Sequence, residues 1–356
     1  MSITKPKVLF LGDLNEDLIE YKEFKQKFDC IFTTLTTREQ LVKDFQTKYS
    51  NIQAIYGSWL GFHLIGGFNK ELIENAPLNL KIITVCSVGY DGYDIESMTN
   101  KGIILTNTPS IGADHVADTV LYFTLSSFRF FQNFQNELKF TKNTIKSRIK
   151  LQQNNHLNEN NYAFGHIINK NFKINSPKDK NVIIVGFGNI GIKIAKRLFS
   201  IGMKINYVKR NKLSKLQELN LGFPVNFFPN LKEAAPIADL IILALPGSPE
   251  TRHMLNKNII DLLPTNSRII NVGRGSIINE KDLIEALENG KISFAGLDVF
   301  ENEPQVPQLL LNKENVICTP HIAGSTVENF DESAIYCLKN IENVLLQGKN
   351  PSSKVN

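Results

Sequence analysis

Four cysteines in 356 residues (Cys30, Cys86, Cys318 and Cys337) are too scattered for a disulfide framework, and they lack metal-ligand or redox spacing. They fit reduced thiols in a cytosolic protein. No apolar run reaches membrane-spanning length. Only a few polar residues precede a first strand expected at Lys7, so no signal peptide is read there and a cytoplasmic location is expected. Neither sign of charge dominates. Forty Lys and Arg face 35 Asp and Glu, for a formal net charge of +5, and the excess forms no long basic block. Nucleic acid and membrane are therefore not expected as partners. No internal repeat of short period is present, and no metal site is expected.

What the chain does contain is strands and helices in alternation. With 42% hydrophobic residues it can fill two cores. Strands are expected at 7–12, 30–34, 52–57, 80–85 and 103–105, with helical stretches between them. Such alternation predicts a parallel sheet covered on both faces. A long helical pattern runs from Ala113 to about Lys139. Residues 150–180 follow, carrying Gln152, Gln153, Asn154, Asn155, Asn158, Asn160 and Asn161, and read as an exposed polar loop. Further strands are expected at 182–185, 204–208, 240–245, 268–272, 294–298 and 315–319. A last helix covers 325–347.

The stretch from Asn181 to Gly191 organises the second half. An apolar strand runs into Gly186-x-Gly188-x-x-Gly191, and Ile190, Ile194 and Leu198 then recur at helical spacing. Strand, glycine turn and helix together are the context of a dinucleotide site. Gly186 allows the turn, Gly188 lets backbone N–H groups approach a pyrophosphate, and Gly191 lets helix and strand pack. Asn189 and Ile190 open a helix whose positive end faces the phosphates.

A carboxylate about 20 residues past such glycines ordinarily takes the ribose 2′-hydroxyl. Here the second strand ends Val208-Lys209-Arg210, and the next acidic residue is Glu218. Arg210 can hydrogen-bond a 2′-phosphate that a carboxylate would repel. NADP(H) is therefore expected over NAD(H), the plainer reading being a solvated basic turn.

Three later stretches end strands with chemistry-bearing residues. Arg274 stands between two glycines, Glu303 follows Asp298 in an acidic loop, and His321 follows Pro320. Parallel strands would bring all three to the edge that holds the cofactor. In the first half, Ser87 to Asp94 forms a glycine-containing loop past a strand. It is either an anion grip through the amides of Val88 and Gly89 or an ordinary tight turn. Trp59 and Phe62 follow another strand.

In this order, these motifs resemble the D-isomer-specific 2-hydroxyacid dehydrogenase family over nearly the whole chain. They include Ser87–Asp91, the glycine turn and Leu245-Pro246 with Thr251–Asn256. They continue through Asn271–Gly275, Asp298-Val299-Phe300 with Glu303-Pro304, and Pro320-His321 with Gly324. The basic end of the second cofactor strand is similar to that of glyoxylate/hydroxypyruvate reductases. The resemblance implies an α/β fold of two doubly wound parallel-sheet domains. A Rossmann coenzyme domain (113–321) would be inserted into a flavodoxin-like substrate domain (1–112 and 322–356). It implies Arg274 as binder of the substrate carboxylate and 2-oxo group, His321 as general acid/base and Glu303 as its partner. Val88 and Gly89 would complete the carboxylate grip. The resemblance also places Trp59 and Phe62 near a side-chain pocket for a larger or apolar substrate; packing of Trp59 between domains is the equal alternative. Gly186, Gly188, Asn189, Ile190, Gly191, Lys209, Arg210, Leu245, Pro246, Thr251, Val272, Asp298 and His321 would line the cofactor. A small 2-oxo or 2-hydroxy acid and a homodimer are implied as partners. The alternative is a dinucleotide-sensing, corepressor-like binding protein on the same fold.

Overall fold

Short apolar runs bounded by turns become strands buried on both faces. The computed structural model describes residues 5–59, 61–153, 163–169 and 172–356. Asn154, Asn155, Asn158, Asn160 and Asn161 lie outside the described residues. Two compact units divide the chain: Met1–Gly112 with Ser325–Asn356, and Ala113–Gly324.

The first unit holds β1 (Lys7–Leu11), β2 (Asp29–Thr33), β3 (Ala54–Gly57), β4 (Ile82–Val85) and β5 (Ile104–Thr106). Every pairing is parallel, in the order β2-β1-β3-β4-β5. This is the flavodoxin-like order. Alternate strand residues serve opposite faces. Leu9, Ile55 and Ile83 pack with Leu41, Phe45, Leu72 and Met98. Val8, Phe10, Tyr56 and Ile82 pack with Tyr21, Phe24, Cys337, Leu338 and Ile341 on the other face. The last three belong to the helix Val327–Leu345, so the end of the chain completes the core its beginning starts.

In the second unit a two-stranded antiparallel pair, β6 (Ile167–Ile168) and β7 (Phe172–Lys173), precedes the main sheet. That sheet comprises β8 (Asn181–Val185), β9 (Lys204–Val208), β10 (Val225–Phe228), β11 (Leu240–Leu243), β12 (Ser267–Asn271), β13 (Ile292–Leu297) and β14 (Val316–Cys318). Its order is β10-β9-β8-β11-β12-β13-β14, again parallel throughout. The first six strands follow the dinucleotide-fold order 3-2-1-4-5-6, and β14 extends it by one.

Three local expectations are corrected. β10 was not among the expected strands: it is an edge strand, half-exposed, with Asn226 in its middle. The 113–139 pattern is two helices, Ala113–Arg129 and Phe131–Thr141, broken at Phe130, whose φ is 52°. Phe130 is buried and its ring stacks on Phe172 and meets Phe294 edge-on. Part of the 150–180 stretch is likewise not an exposed loop. Leu151, Ala163 and Ile168 are buried, and Gln152 ends the helix Thr144–Gln152.

Gly296 in β13 is needed by packing: a Cβ there would stand 2.9 Å from Cγ of Phe123, a fully buried ring of the helix Ala113–Arg129. Gly296→Ala is expected to destabilise the second unit by about 1–3 kcal/mol, the usual cost of overfilling a packed core. Denaturant unfolding would check this, and an unchanged midpoint would remove the claim.

Candidate active site

Where β8 ends, Gly186 takes φ +93°, and a Cβ on it would lie 2.5 Å from the Ala244 carbonyl oxygen. A Cβ on Gly191 would lie 2.2 Å from the Gly186 carbonyl oxygen. These two glycines are required by the protein's own packing. Gly188 is different, since a Cβ there would meet nothing within 4 Å. It is the N-cap of the helix Asn189–Ser200 and supplies no side-chain cap. The turn thus leaves a bare backbone surface and first-turn N–H donors at the positive end of a three-turn helix. That donor set fits the pyrophosphate of a dinucleotide. Asn189 is exposed there and Ile190 half-buried.

At the end of β9, Lys209 is half-buried and Arg210 exposed. Among the described residues neither makes a hydrogen bond or a close ion pair. Glu218, the next carboxylate, accepts from the Tyr207 hydroxyl at 3.2 Å and lies 3.9 Å from Lys212. The charge facing Arg210 comes instead from the loop after β11. There the Glu250 carboxyl is held below its ordinary range by the Ser248 hydroxyl, by its own backbone N–H and by the Arg210 charge. In that loop Pro246 is exposed and Leu245 half-buried. Thr251 Oγ1 donates to the Pro246 carbonyl at 3.1 Å and accepts from the Ser248 N–H at 2.8 Å, so its hydroxyl shapes the loop.

Past β12, Val272 is half-buried and Asn271 braces the turn. Its amide donates to the Arg274 carbonyl at 2.9 Å and its oxygen accepts from the Gly273 N–H at 3.0 Å. Arg274 itself donates from Nη1 to the Gly273 carbonyl at 2.8 Å. Gly275 lies against the next loop: a Cβ on it would fall 1.8 Å from the Phe300 carbonyl carbon and 2.4 Å from the Glu301 nitrogen. Only glycine lets the Arg274 turn and the Glu303 loop run so close.

Glu303 sits on that second loop, past β13. Its Oε1 accepts from the Phe300 N–H at 3.0 Å, and its Oε2 lies 2.9 Å from His321 Nδ1. The hydrogen bond to Glu303 raises the His321 pKa first, burial opposes it, the Glu303 and Asp298 charges add to it, and Arg274 opposes it. Burial pushes the Glu303 carboxyl up. The His321 hydrogen bond, the Phe300 N–H and the charges of His321 and Arg274 outweigh that and hold it low. With Nδ1 facing Glu303, Nε2 is the ring nitrogen left for a substrate. Nearly half of the imidazole surface is exposed.

Asp298 is buried, and its pKa is raised by that burial against four lowering contacts. Oδ1 accepts from Thr319 Oγ1 at 2.6 Å and from the Ile322 N–H at 2.8 Å, and Oδ2 accepts from the Ala323 N–H at 2.9 Å. Three of its four lone-pair positions therefore hold the loop that carries His321. That loop needs holding, because His321 has φ 56°. For a residue other than glycine such a backbone costs about 1–3 kcal/mol. Hydrogen bonds to a charged acceptor contribute about 1.5–3 kcal/mol each, enough in sum to offset it.

A second carboxylate cluster, absent from the sequence reading, backs the Glu303 loop. Glu301 Oε1 meets His253 Nε2 at 2.5 Å and Arg252 Nη2 at 3.1 Å. Buried Glu280 accepts from the Glu301 N–H at 2.8 Å. Burial, with the nearby Glu301 and Glu303 charges, pushes the Glu280 carboxyl up. The signal was present in Arg252-His253 after one strand and Glu301-Asn302-Glu303 after another, two groups of polar residues that parallel strands bring to one edge of the sheet.

In the first unit, the loop after β4 turns its carbonyls inward. Ser87 Oγ donates to the Gly89 carbonyl at 2.7 Å, and Asn107 Nδ2 donates to the Val88 carbonyl at 2.8 Å. Among the described residues the Val88 and Gly89 N–H groups donate to nothing, which leaves two adjacent amides for an anion. Phe62 is fully buried against Phe68 and Tyr93, so it is core and lines no pocket. Trp59 stays 39% exposed.

Comparison with known proteins gives the family. Residues 138–323 match the family model described as D-isomer specific 2-hydroxyacid dehydrogenase, NAD binding domain. The chain is 34% identical to the glyoxylate reductase of Thermococcus litoralis over 288 residues, covering 81% of this chain and 80% of that protein. The holo structure of D-mandelate dehydrogenase from Rhodotorula graminis superposes with a TM-score of 0.88 at 27% identity, covering 99% and 98% of the two chains. The NADPH-dependent glyoxylate/hydroxypyruvate reductase of Sinorhizobium meliloti, in complex with NADP and malonate, gives 0.76 at 27% identity, covering 99% and 97%. Among the described residues no helix is long and apolar enough to cross a membrane. With a dinucleotide turn, an arginine, a glutamate and a histidine on strand-end loops, and these likenesses over nearly its full length, the chain belongs to the D-isomer-specific 2-hydroxyacid dehydrogenases, oxidoreductases of small 2-oxo and 2-hydroxy acids.

Proposed function

We propose that this chain is an NADPH-preferring 2-oxo acid reductase of the glyoxylate/hydroxypyruvate reductase kind, with His321 as its general acid/base. The observation that carries the reading is the 2.9 Å contact of His321 Nδ1 with Glu303, beside the Arg274 charge. The reading assigns the coenzyme to the second unit, together with Arg274 and His321, and further substrate contacts to the first. A homodimer and a cytosolic location belong to the same proposal, and light scattering tests the first.

When bound, the reduced nicotinamide supplies a hydride to the 2-oxo carbon. The protein supplies the rest. Arg274 offers a planar fork to the carboxylate and the neighbouring carbonyl oxygen, and polarises that carbonyl. The Val88 and Gly89 amides add two donors for the carboxylate. As charge gathers on the carbonyl oxygen, His321 Nε2 delivers a proton to it, and Glu303 stabilises the imidazolium before that transfer. In the oxidative direction the neutral imidazole takes the proton back. Asp298 aims the histidine through its loop. The basic end of β9 supports NADPH: Glu218 is engaged elsewhere, and among the described residues Arg210 makes no close ion pair that would occupy its guanidinium.

His321→Gln should lower turnover about 10²–10⁴-fold, the usual worth of a positioned acid, while NADPH affinity measured by fluorescence changes little. Wild-type turnover would refute the role. The pH dependence has a definite sign. Because Glu303 raises the His321 pKa, reduction should persist above the ordinary histidine range of about 6.5 and fall as pH climbs through the raised value. Glu303→Gln removes the charge and should move that alkaline limb to lower pH; a profile that stays in place would count against the pairing. Arg210→Ala should cut the NADPH-to-NADH ratio of kcat/KM about tenfold or more, the worth of one charge-assisted hydrogen bond. A wild type that uses both coenzymes equally would remove the NADPH preference.

A further inference from the structure

The first unit contains a cavity of about 660 Å³ whose walls include Trp59, Val327 and Phe330, with Asn15 and Asp331 at one side. It is built at the carboxyl ends of the parallel strands. Asn15 follows β1 and Trp59 follows β3, and the two loops are pressed together where a Cβ on Gly12 would stand 2.0 Å from Ser58 Oγ. Val327 and Phe330 come from the first turn of the helix Val327–Leu345. Val327 is 73% exposed and Trp59 39% exposed, unusual for large apolar side chains that share one concave wall. Asn15 Nδ2 donates to Asp331 Oδ2 at 3.1 Å, which fixes the one carboxylate in the lining.

The loop that carries Trp59 leaves the sheet beside the loop that carries the Val88–Gly89 amides. β3 and β4 are adjacent, with Gly57 opposite Val85, so Trp59 and Val88 leave strand ends about 4.8 Å apart. Ligands of open parallel sheets bind at this edge. An acid whose carboxylate takes those amides has its 2-substituent within reach of the Trp59 wall. A hydrogen or hydroxymethyl substituent would leave that wall bare. A branched or aromatic one would cover it, and a second carboxylate would meet Asp331.

We infer that the preferred substrate is a 2-oxo acid with a large, neutral, apolar substituent, branched aliphatic or aromatic, and that Trp59 and Phe330 select it while Asp331 rejects dicarboxylic acids. The inference rests on the reductase reading given above. It keeps the coenzyme preference and the His321 chemistry of that reading, by which the chain is of the glyoxylate/hydroxypyruvate reductase kind, and places glyoxylate and hydroxypyruvate themselves among the poorer substrates.

The test is a kinetic panel of glyoxylate, hydroxypyruvate, 4-methyl-2-oxopentanoate, phenylpyruvate and 2-oxoglutarate with NADPH, run on wild type, Trp59→Ala and Trp59→Phe. Each methylene covered by an apolar wall is worth about fourfold, so kcat/KM for 4-methyl-2-oxopentanoate should exceed that for glyoxylate by ~50-fold or more. Trp59→Ala should shrink this ratio about tenfold or more, and Trp59→Phe, which keeps an apolar ring, should retain most of it. Asp331→Asn should raise kcat/KM for 2-oxoglutarate relative to phenylpyruvate. A wild type that prefers glyoxylate, or a ratio that Trp59→Ala leaves unchanged, would overturn the inference while leaving the reductase reading intact. No turnover of any acid in the panel would overturn both.

Discussion

On the proposed reading, the hydrogen bond between His321 Nδ1 and Glu303 Oε2 is the interaction on which the chemistry depends, because it sets which nitrogen faces outward and favours the protonated ring. A bond of that kind between half-exposed groups is weak as a stabiliser of the fold, since solvent screens it. Its value lies in geometry. The imidazole has two chemically similar nitrogens, and an unanchored ring presents either. Once Nδ1 faces a carboxylate, the tautomer and the direction of Nε2 are fixed together. The rest of the second unit can be understood as the apparatus that keeps these two side chains in register.

That apparatus is mostly backbone. β12, β13 and β14 are neighbours in the sheet, so the loops that leave their carboxyl ends begin one strand spacing apart. Side chains at such short range would push the loops outward. Gly275 removes that obstacle between the Arg274 and Glu303 loops, as Gly186 and Gly191 do at the cofactor turn. Asp298 then ties the Glu303 side of the assembly to the His321 side, accepting from Thr319, Ile322 and Ala323. The unfavourable φ of His321 is the mark of this arrangement: the ring is aimed by a backbone that would relax if its anchor were lost.

The sheets, the glycine turn and the three strand-end loops were legible in the sequence because each rests on a short local rule. Fully buried parallel strands such as Leu240–Leu243 are continuous apolar runs, and a glycine required at positive φ accepts no ordinary substitute. β10 escaped because an edge strand need not be apolar throughout. Asn226 is satisfied there by Asn206 on the neighbouring strand, so its polarity carries no penalty. The break at Phe130 escaped for the opposite reason. An aromatic residue in a left-handed conformation is held by tertiary packing against Phe172 and Phe294, and no glycine or proline announces it. Phe62 and Trp59 were indistinguishable by residue type. Only burial separates a ring packed into the core from one that lines a cavity.

The Glu301–Glu280–His253 cluster shows how a carboxylate-rich loop can leave a single glutamate, Glu303, to pair with His321. Three glutamates close in space would ordinarily repel one another and raise one another's pKa values. Here each has a different occupation. Glu301 is held low, against its burial, by His253, by the Glu280 N–H and by the Arg252 charge. Glu280 is pushed up by burial and spends an oxygen on the Glu301 N–H. Only Glu303 turns to His321. Arg252 and His253 come from the loop after β11, which also carries Thr251 and Glu250, so the same short segment that faces the basic end of β9 also steadies the acid loop. On the proposed reading, a change in that segment reaches coenzyme choice and proton transfer together, although the two functions are read from different strands.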